Sequence, residues 1–266
     1  MFDRVKFREF IKKAWQEVRR AIKDADVILE VLDARDPPAF RNLDIEKKII
    51  GSGKKLILVI NKVDLVPREV AEKWKREFEK EFPTVCISAR YRLGTLKLRK
   101  LIYKLAPKDT DVIRVAIIGY PNVGKSSIIN ILKGKHGAPT SSIPGFTRHA
   151  QIFKRGRLII LDTPGVYPVE DPFELVYKGA VRVEQLEIPE KYAIKLIEYL
   201  KSLDPYVVKK HYGDDVDDEK PEKILEKLAI KMKKFMRGGI PDIRAAARKI
   251  LYDWINGKIV VWRKPP

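Results

Sequence analysis

Short apolar runs rich in β-branched residues recur along this chain, and between them apolar side chains return every three or four positions. Val27 to Leu32, Leu56 to Ile60, Thr84 to Ile87, Val115 to Ile118 and Leu158 to Leu161 read as strands; the five-residue Leu56–Ile60 run suits a parallel strand buried on both faces. Val70, Trp74 and Phe78 mark a helix between the Leu56 and Thr84 runs, as a right-handed strand-helix-strand crossover requires. Ser127 to Leu132 continues beyond the Val115 run with helical spacing. This alternation predicts an α/β domain, a mostly parallel sheet with helices on both faces. Ahead of it, residues 4–23 place Phe7, Phe10, Ile11, Ala14, Trp15, Val18 and Ile22 on one helical stripe that should pack on the core, with a basic side left outward. From residue 172 onward only helical patterns remain, near 172–183, 189–201, 221–236 and 241–255, broken by Pro189, Pro205, Pro221 and Gly238-Gly239. The expected division is an amphipathic helix over 1–24, an α/β domain over 25–170 and a small helical domain over 171–266. The polar segment Ala106–Asp111 is the expected linker within the α/β part.

Chemistry enters where strands end. Gly119-Tyr-Pro-Asn-Val-Gly124-Lys125-Ser126 follows one strand and opens a helix. Backbone amides of such a loop, including those of Asn122, Val123, Gly124 and Ser127, can surround phosphate oxygens. Lys125 can reach the β/γ-phosphates, and Ser126 can place its hydroxyl on Mg²⁺. About forty residues on, Asp162-Thr163-Pro164-Gly165 ends the Leu158 run, with Asp162 suited to hold Mg²⁺ through water and the Gly165 amide to meet a γ-phosphate. Between them, Thr147 is the candidate switch hydroxyl that senses Mg²⁺ and γ-phosphate, with Thr140, Ser141 and Ser142 as rivals.

Asn61-Lys62-Val63-Asp64 ends the Leu56–Ile60 run. A carboxylate at Asp64 can accept from N1–H and the 2-amino group of guanine, a donor pair that adenine lacks, so the site would select GTP and GDP. Asn61 would tie this loop to the phosphate loop, and the Lys62 stem would cover the base face. Ser88-Ala89-Arg90, about two dozen residues later, has the form of a serine-alanine element whose backbone contacts guanine O6.

The base-reading elements thus precede the phosphate loop, the reverse of the usual GTPase order. In this the chain resembles the circularly permuted GTPases of the ribosome-assembly group, the YlqF-like family. The likeness rests on Asp33-Ala-Arg-Asp-Pro37, residues 61–67, 119–127, 144–147 and 162–166, and on the late Gly238-Gly-Ile-Pro-Asp242 with Ala245–Leu251 and Asn256-Gly-Lys258. The resemblance implies a circularly permuted P-loop GTPase domain with a small C-terminal α-helical domain, slow GTP hydrolysis, and a ribosomal subunit, the large one favoured, with rRNA as partner. A DNA partner is not expected, and the chain is expected to be monomeric. It also implies an apolar residue, here Val166, where many GTPases carry a water-orienting Gln. K⁺ stimulation goes with Asn122 in the phosphate loop, although that amide can equally serve as a loop cap. Because the chain runs from Gly165 straight into the helical region, γ-phosphate is expected to order 163–175 and set the pose of the last ninety residues, a coupling that hydrogen exchange of 170–255 in GDP and GTP-analogue states would test. The alternatives are a small-subunit assembly GTPase, and a nucleotide-gated RNA-binding scaffold in which hydrolysis is incidental.

Composition sharpens the partner. Of 266 residues, 55 are Lys or Arg and 36 Asp or Glu, a formal net charge of +19, which favours a polyanion. Lys209, Lys210, Lys231, Lys233, Lys234, Arg237, Arg244, Arg248 and Lys249 spread this charge over the helical region. No apolar run approaches the roughly 20 residues of a spanning helix, so no membrane role is expected. Cys86 is the single cysteine, which excludes an intrachain disulfide and fits a cytoplasmic address. Glycine and aspartates at 213–218 read as a solvated loop, since EF-hand spacing is absent.

Overall fold

The computed structural model describes residues 4–134, 152–165 and 171–266, with the side chains of 4–12 and 152 left aside. In chain order the elements are α1 (Arg4–Asp24), β1 (Val27–Asp33), α2 (Leu43–Gly51), β2 (Lys55–Asn61), α3 (Arg68–Phe78), β3 (Thr84–Cys86), α4 (Thr95–Leu105), β4 (Ile113–Gly119), α5 (Lys125–Lys133), β5 (Ile152–Arg155), β6 (Leu158–Asp162), α6 (Pro172–Tyr177), α7 (Pro189–Leu203), α8 (Val207–Tyr212), α9 (Pro221–Lys231) and α10 (Ile243–Ile255). They fall into two compact units, Asp3–Val169 and Glu170–Lys264.

The first unit is a six-stranded sheet in the order β3-β2-β1-β4-β6-β5, parallel except for the edge strand β5. All seven residues of β1 are buried. Because successive side chains point to opposite faces, both faces of this strand are covered, which is why five of its seven residues are apolar, with Glu30 and Asp33 the exceptions. Full burial of each Val, Leu or Ile here contributes about 1.5–3 kcal/mol. Asp33 pairs with Asn61, Val31 with Gly119 and Ile117 with Asp162. That register brings the chemistry-bearing residues to one edge, the carboxyl ends of the strands. The chain leaves β1 toward β2 and β3, and leaves β4 toward β6, so the order reverses between β1 and β4. Open α/β sheets bind ligands at such a switch point. Beneath it, α1 packs on β4 through its second half, with Ala14, Val18 and Ala21 buried. Lys54 Nζ caps the carboxyl end of α1 through Lys23 O at 3.0 Å and Ala25 O at 2.7 Å.

The second unit is helical. Trp254 on α10 stacks on Tyr177 of α6 at 5.2 Å between ring centroids, and its Nε1 donates to Tyr177 O at 2.9 Å. Two expected helix limits change, and one helix is added. The helix expected over 172–183 ends at Tyr177, where the chain turns through Gly179 at φ 69. The one expected over 221–236 ends at Lys231, because Lys233 adopts a left-handed φ of 54 that no α-helix continues. Between Pro205 and Gly213 the chain forms α8, whose six residues are too short to display a helical period. No helix among the described residues is long and apolar enough to cross a membrane.

Candidate nucleotide site

At the end of β4 the backbone must leave the sheet abruptly, and glycine makes this possible. Gly119 has φ 136, and a Cβ there would lie 2.6 Å from Val31 O. The loop passes Asn122, itself left-handed at φ 59, and reaches Gly124 at φ 100, the residue that caps α5. A Cβ on Gly124 would collide with Asn61 Nδ2. Unpaired amides at the start of α5 and the helix dipole make this end attractive to anions.

Lys125 opens α5 and is 8% exposed. Its Nζ donates to Gly119 O at 3.0 Å and Tyr120 O at 2.7 Å, folding across the loop it serves. Burial lowers its pKa to about 8, against the attraction of Asp162. Asp162 at the end of β6 is also buried, and burial raises its carboxyl to about 6, offset in part by the Lys125 charge. The next residue, Thr163, donates through Oγ1 to Ile117 O at 2.7 Å and so holds the exit of β6 against β4. Gly165 lies against the phosphate loop so closely that a Cβ would come within 2.9 Å of Pro121. Ser126 and Ser127 sit half-buried in the first turn of α5.

The base-reading loop is locked to the phosphate loop by one side chain. Asn61 Nδ2 donates to Val123 O at 2.7 Å, and Asn61 Oδ1 accepts from Ala89 N at 3.0 Å. One carboxamide thus bridges three segments that lie far apart in sequence. Asp64 Oδ1 accepts from Ser88 Oγ at 2.5 Å, and Ser88 Oγ accepts from Tyr91 N at 3.3 Å, so the serine orients the carboxylate and is held in turn. Arg90 is exposed, its guanidinium 5.4 Å from the Tyr91 ring. Half-buried Cys86 nearby has its thiol pushed up to about 12 by desolvation, which disfavours its thiolate.

Lys62 is held in a way the sequence did not suggest. It is left-handed at φ 65, and its Nζ donates to Asp33 Oδ2 at 2.8 Å. Asp33 is gripped on its other side by Arg35, from Nε at 3.1 Å and Nη2 at 2.9 Å, and accepts from Arg35 N at 3.0 Å. Burial opposes the charge on Asp33, but the Arg35 and Lys62 cations outweigh it and hold the carboxyl well below the usual range. Burial likewise lowers the Lys62 ammonium, with Asp33 acting against it. The ammonium end is therefore fixed on β1 while the stem leaves from beside Asn61. Asp33 and Arg35 belong to the Asp33–Pro37 segment that carries the family likeness, but the sequence assigns them no role; the structure places this charged pair directly after β1, against Lys62.

Of the residues expected in the site, Asn61, Lys62, Asp64, Ser88, Ala89, Asn122, Val123, Gly124, Lys125, Ser126, Ser127, Asp162 and Gly165 come together at the carboxyl edge of one sheet, and Arg90 follows on the rim. Thr147, its rivals at 140–142, and Val166 lie outside the described residues. Among those residues, no group of three or more His, Cys, Asp or Glu side chains is arranged to hold a metal by itself. A donor set of one serine hydroxyl and one carboxylate instead fits Mg²⁺, which is held through only one or two protein ligands when phosphates supply the rest.

This sheet order, with the loop after β2 meeting the loop after β4, defines a P-loop GTPase domain in circular permutation. A family model described as RsgA GTPase matches residues 8–170, and one described as 50S ribosome-binding GTPase matches residues 114–233. An uncharacterized GTP-binding protein of Methanocaldococcus jannaschii is 43% identical over 244 residues, 91% of this chain and 65% of that protein. Guanine nucleotide-binding protein-like 3 homolog of Caenorhabditis elegans is 34% identical, over 96% of this chain and 50% of its own length. Nucleolar GTP-binding protein 2 of Neurospora crassa is 37% identical, over 93% of this chain and 41% of its own. The chain thus spans less than two thirds of these relatives. GNP-bound YlqF from T. maritima superposes with a TM-score of 0.69 at 26% identity, covering 95% of this chain and 98% of that one. A GDP-bound YlqF gives 0.67, also at 26% identity. The chain belongs to the RsgA GTPase family, as a circularly permuted GTPase of the YlqF-like ribosome-assembly group.

Proposed function

We propose that this chain binds GTP and GDP with Mg²⁺ and hydrolyses GTP slowly, as a switch in assembly of a ribosomal subunit, the large one. The observation that carries the nucleotide reading is the Asn61 Nδ2 to Val123 O bond of 2.7 Å, which holds base-reading and phosphate-binding loops at one pocket despite their reversed order. In this reading Asp64, oriented by Ser88, accepts from the guanine edge. Lys62, anchored on Asp33, lays its stem along the base. Amides from Asn122 to Ser127 and the Lys125 ammonium take the phosphates. Ser126 and Asp162 would hold Mg²⁺, with Thr147 completing that set, and the metal would supply neutralisation of phosphate charge. Asn122 would hold K⁺, whose charge between the β- and γ-phosphates would do the work of an arginine finger.

The ribosomal part is supported by the relatives named above, by the 50S ribosome-binding description of one matching model and by the net charge of +19. Calorimetry should show guanosine nucleotides bound and adenosine nucleotides rejected; equal affinity for the two would end the nucleotide reading. Co-sedimentation with each purified ribosomal subunit tests the rest, with GDP and then with a non-hydrolysable GTP analogue. We expect binding to the large subunit that depends on the nucleotide; equal binding in both states would mark a scaffold instead. Replacing K⁺ by Na⁺ should slow turnover.

A further inference from the structure

In the helical unit, residues 233–240 are all exposed, yet their backbone is firmly ordered by hydrogen bonds. Phe235 bridges Pro241 in antiparallel fashion, Met236 N donates to Ile240 O at 2.8 Å, and Gly239 N donates to Met236 O at 3.2 Å. Gly238 sits at φ 84, the left-handed conformation that the third position of a type II turn demands. The base of this narrow loop is fastened to both flanking helices. Lys234 N donates to Ala229 O at 2.9 Å, Asp242 N to Lys234 O at 2.9 Å, and the Asp242 carboxylate caps α10 through Ala245 N at 2.9 Å.

On this fixed frame, Phe235, Met236 and Ile240 are 50%, 54% and 57% exposed. Large apolar side chains are exposed at other points of the surface too, but three held outward together on one hydrogen-bonded turn form a contact surface. The charges around it select the partner. No acidic residue lies between Glu226 and Asp242, and Lys233, Lys234 and Arg237 make no ion pair among the described residues. Their neighbours Lys227 and Lys231, by contrast, are engaged with Asp218 at 2.9 Å and Asp215 at 2.8 Å. An aromatic and two other apolar side chains flanked by uncompensated cations match a nucleic acid strand with unstacked bases, in which the rings take the apolar side chains and the phosphates take the cations.

We propose that the 233–241 turn is a docking point for unpaired RNA bases, with Phe235 as the stacking platform, Met236 and Ile240 as its flanks, and Lys233, Lys234 and Arg237 on the phosphates. This rests on the reading of the chain as a ribosome-assembly GTPase and adds to it the element and the RNA structure recognised.

The test uses the full chain and two labelled RNAs, a stem with an unpaired loop and a fully paired duplex of the same length, titrated by fluorescence anisotropy over a range of KCl. Wild type should prefer the looped RNA. Phe235→Ala should lower that affinity about ten-fold or more while leaving duplex affinity and GDP affinity as they were, the last showing that the variant is folded. Lys233→Ala with Lys234→Ala and Arg237→Ala should weaken both RNAs and reduce the salt slope by about 2. Equal wild-type affinity for loop and duplex, untouched by Phe235→Ala, overturns the docking point but leaves subunit co-sedimentation intact; loss of both RNA and subunit binding in wild type would instead defeat the underlying reading. A photocrosslinking phenylalanine analogue at position 235, irradiated on purified large subunits, should join to RNA, and joining only to ribosomal protein would overturn the proposal.

Discussion

The two units each bury charge, and they do so for opposite ends. In the helical unit Asp253 is 1% exposed and its carboxylate is fully answered by its own fold: Lys249, Tyr212 at 2.9 Å, His211 at 3.7 Å and Lys258 at 3.5 Å. Its pKa is lowered, since these partners outweigh burial, while burial and the adjacent carboxylate raise the Tyr212 hydroxyl. At the carboxyl edge of the sheet, Lys125 and Asp162 are pushed toward their neutral forms, to about 8 and about 6, because burial exceeds what nearby groups return. A buried ion answered from within is structure. A buried ion answered poorly by the protein alone, beside the glycine-capped start of a helix, marks a candidate site for a charged ligand. Asp33 stands between these cases: as fully answered as Asp253, by Arg35 and Lys62, it spends that rigidity on aiming Lys62.

The contrast can be broken most directly at Asp253. Asp253→Asn should destabilise the chain by about 3 kcal/mol in denaturant unfolding, as removal of one buried partner does, and should leave GDP affinity unchanged. Next in size, Asp64→Asn should lower GTP affinity by about a hundred-fold or more and turn preference toward xanthosine nucleotides, measured by calorimetry, without a comparable loss of stability. A smaller, graded effect belongs to Asp162. Mg²⁺ binds the carboxylate and not the acid, so below about pH 6 the Mg²⁺-dependent tightening of GTP should fall by about ten-fold per pH unit, whereas a flat profile from pH 7 to 5 would contradict the assignment. Smallest and opposite in sign is Lys125→Met. A lysine whose folded pKa lies below its ordinary value costs stability at pH values below that folded pKa, so its removal should raise nucleotide-free stability by about 1 kcal/mol at pH 7, the lost attraction to Asp162 limiting the gain. That stabilised variant should bind GTP poorly; a variant that was both less stable and poorly binding would place Lys125 with Asp253 as a structural ion.

Much of this site could be read from residues in a row, because the features concerned are local. Apolar runs locate β1, β2, β4 and β6, a glycine after a strand signals the phosphate loop, and NKxD spacing depends only on a turn. The passage from Asn61 to Val123 was expected from the motif and is found as a hydrogen bond. The Asp33–Arg35–Lys62 cluster was not foreseen, because it depends on the register that sets Asp33 beside Asn61, a property of two strands and of neither alone. Helix ends in the second unit were misplaced for a similar reason: Lys233 is left-handed because the 233–241 turn is tied to Ala229 and Asp242, not because lysine prefers that conformation.

By itself, then, the order of residues determined the α/β class, the reversed succession of base and phosphate elements, and most of the side chains that gather at the carboxyl edge of the sheet, since hydrophobic period and glycine placement act over a few positions. Which strand lies beside which, how Ser88 turns Asp64, and how deeply Lys125 and Asp162 are shielded were decided only in three dimensions, where burial and pairing are set by neighbours tens of residues away.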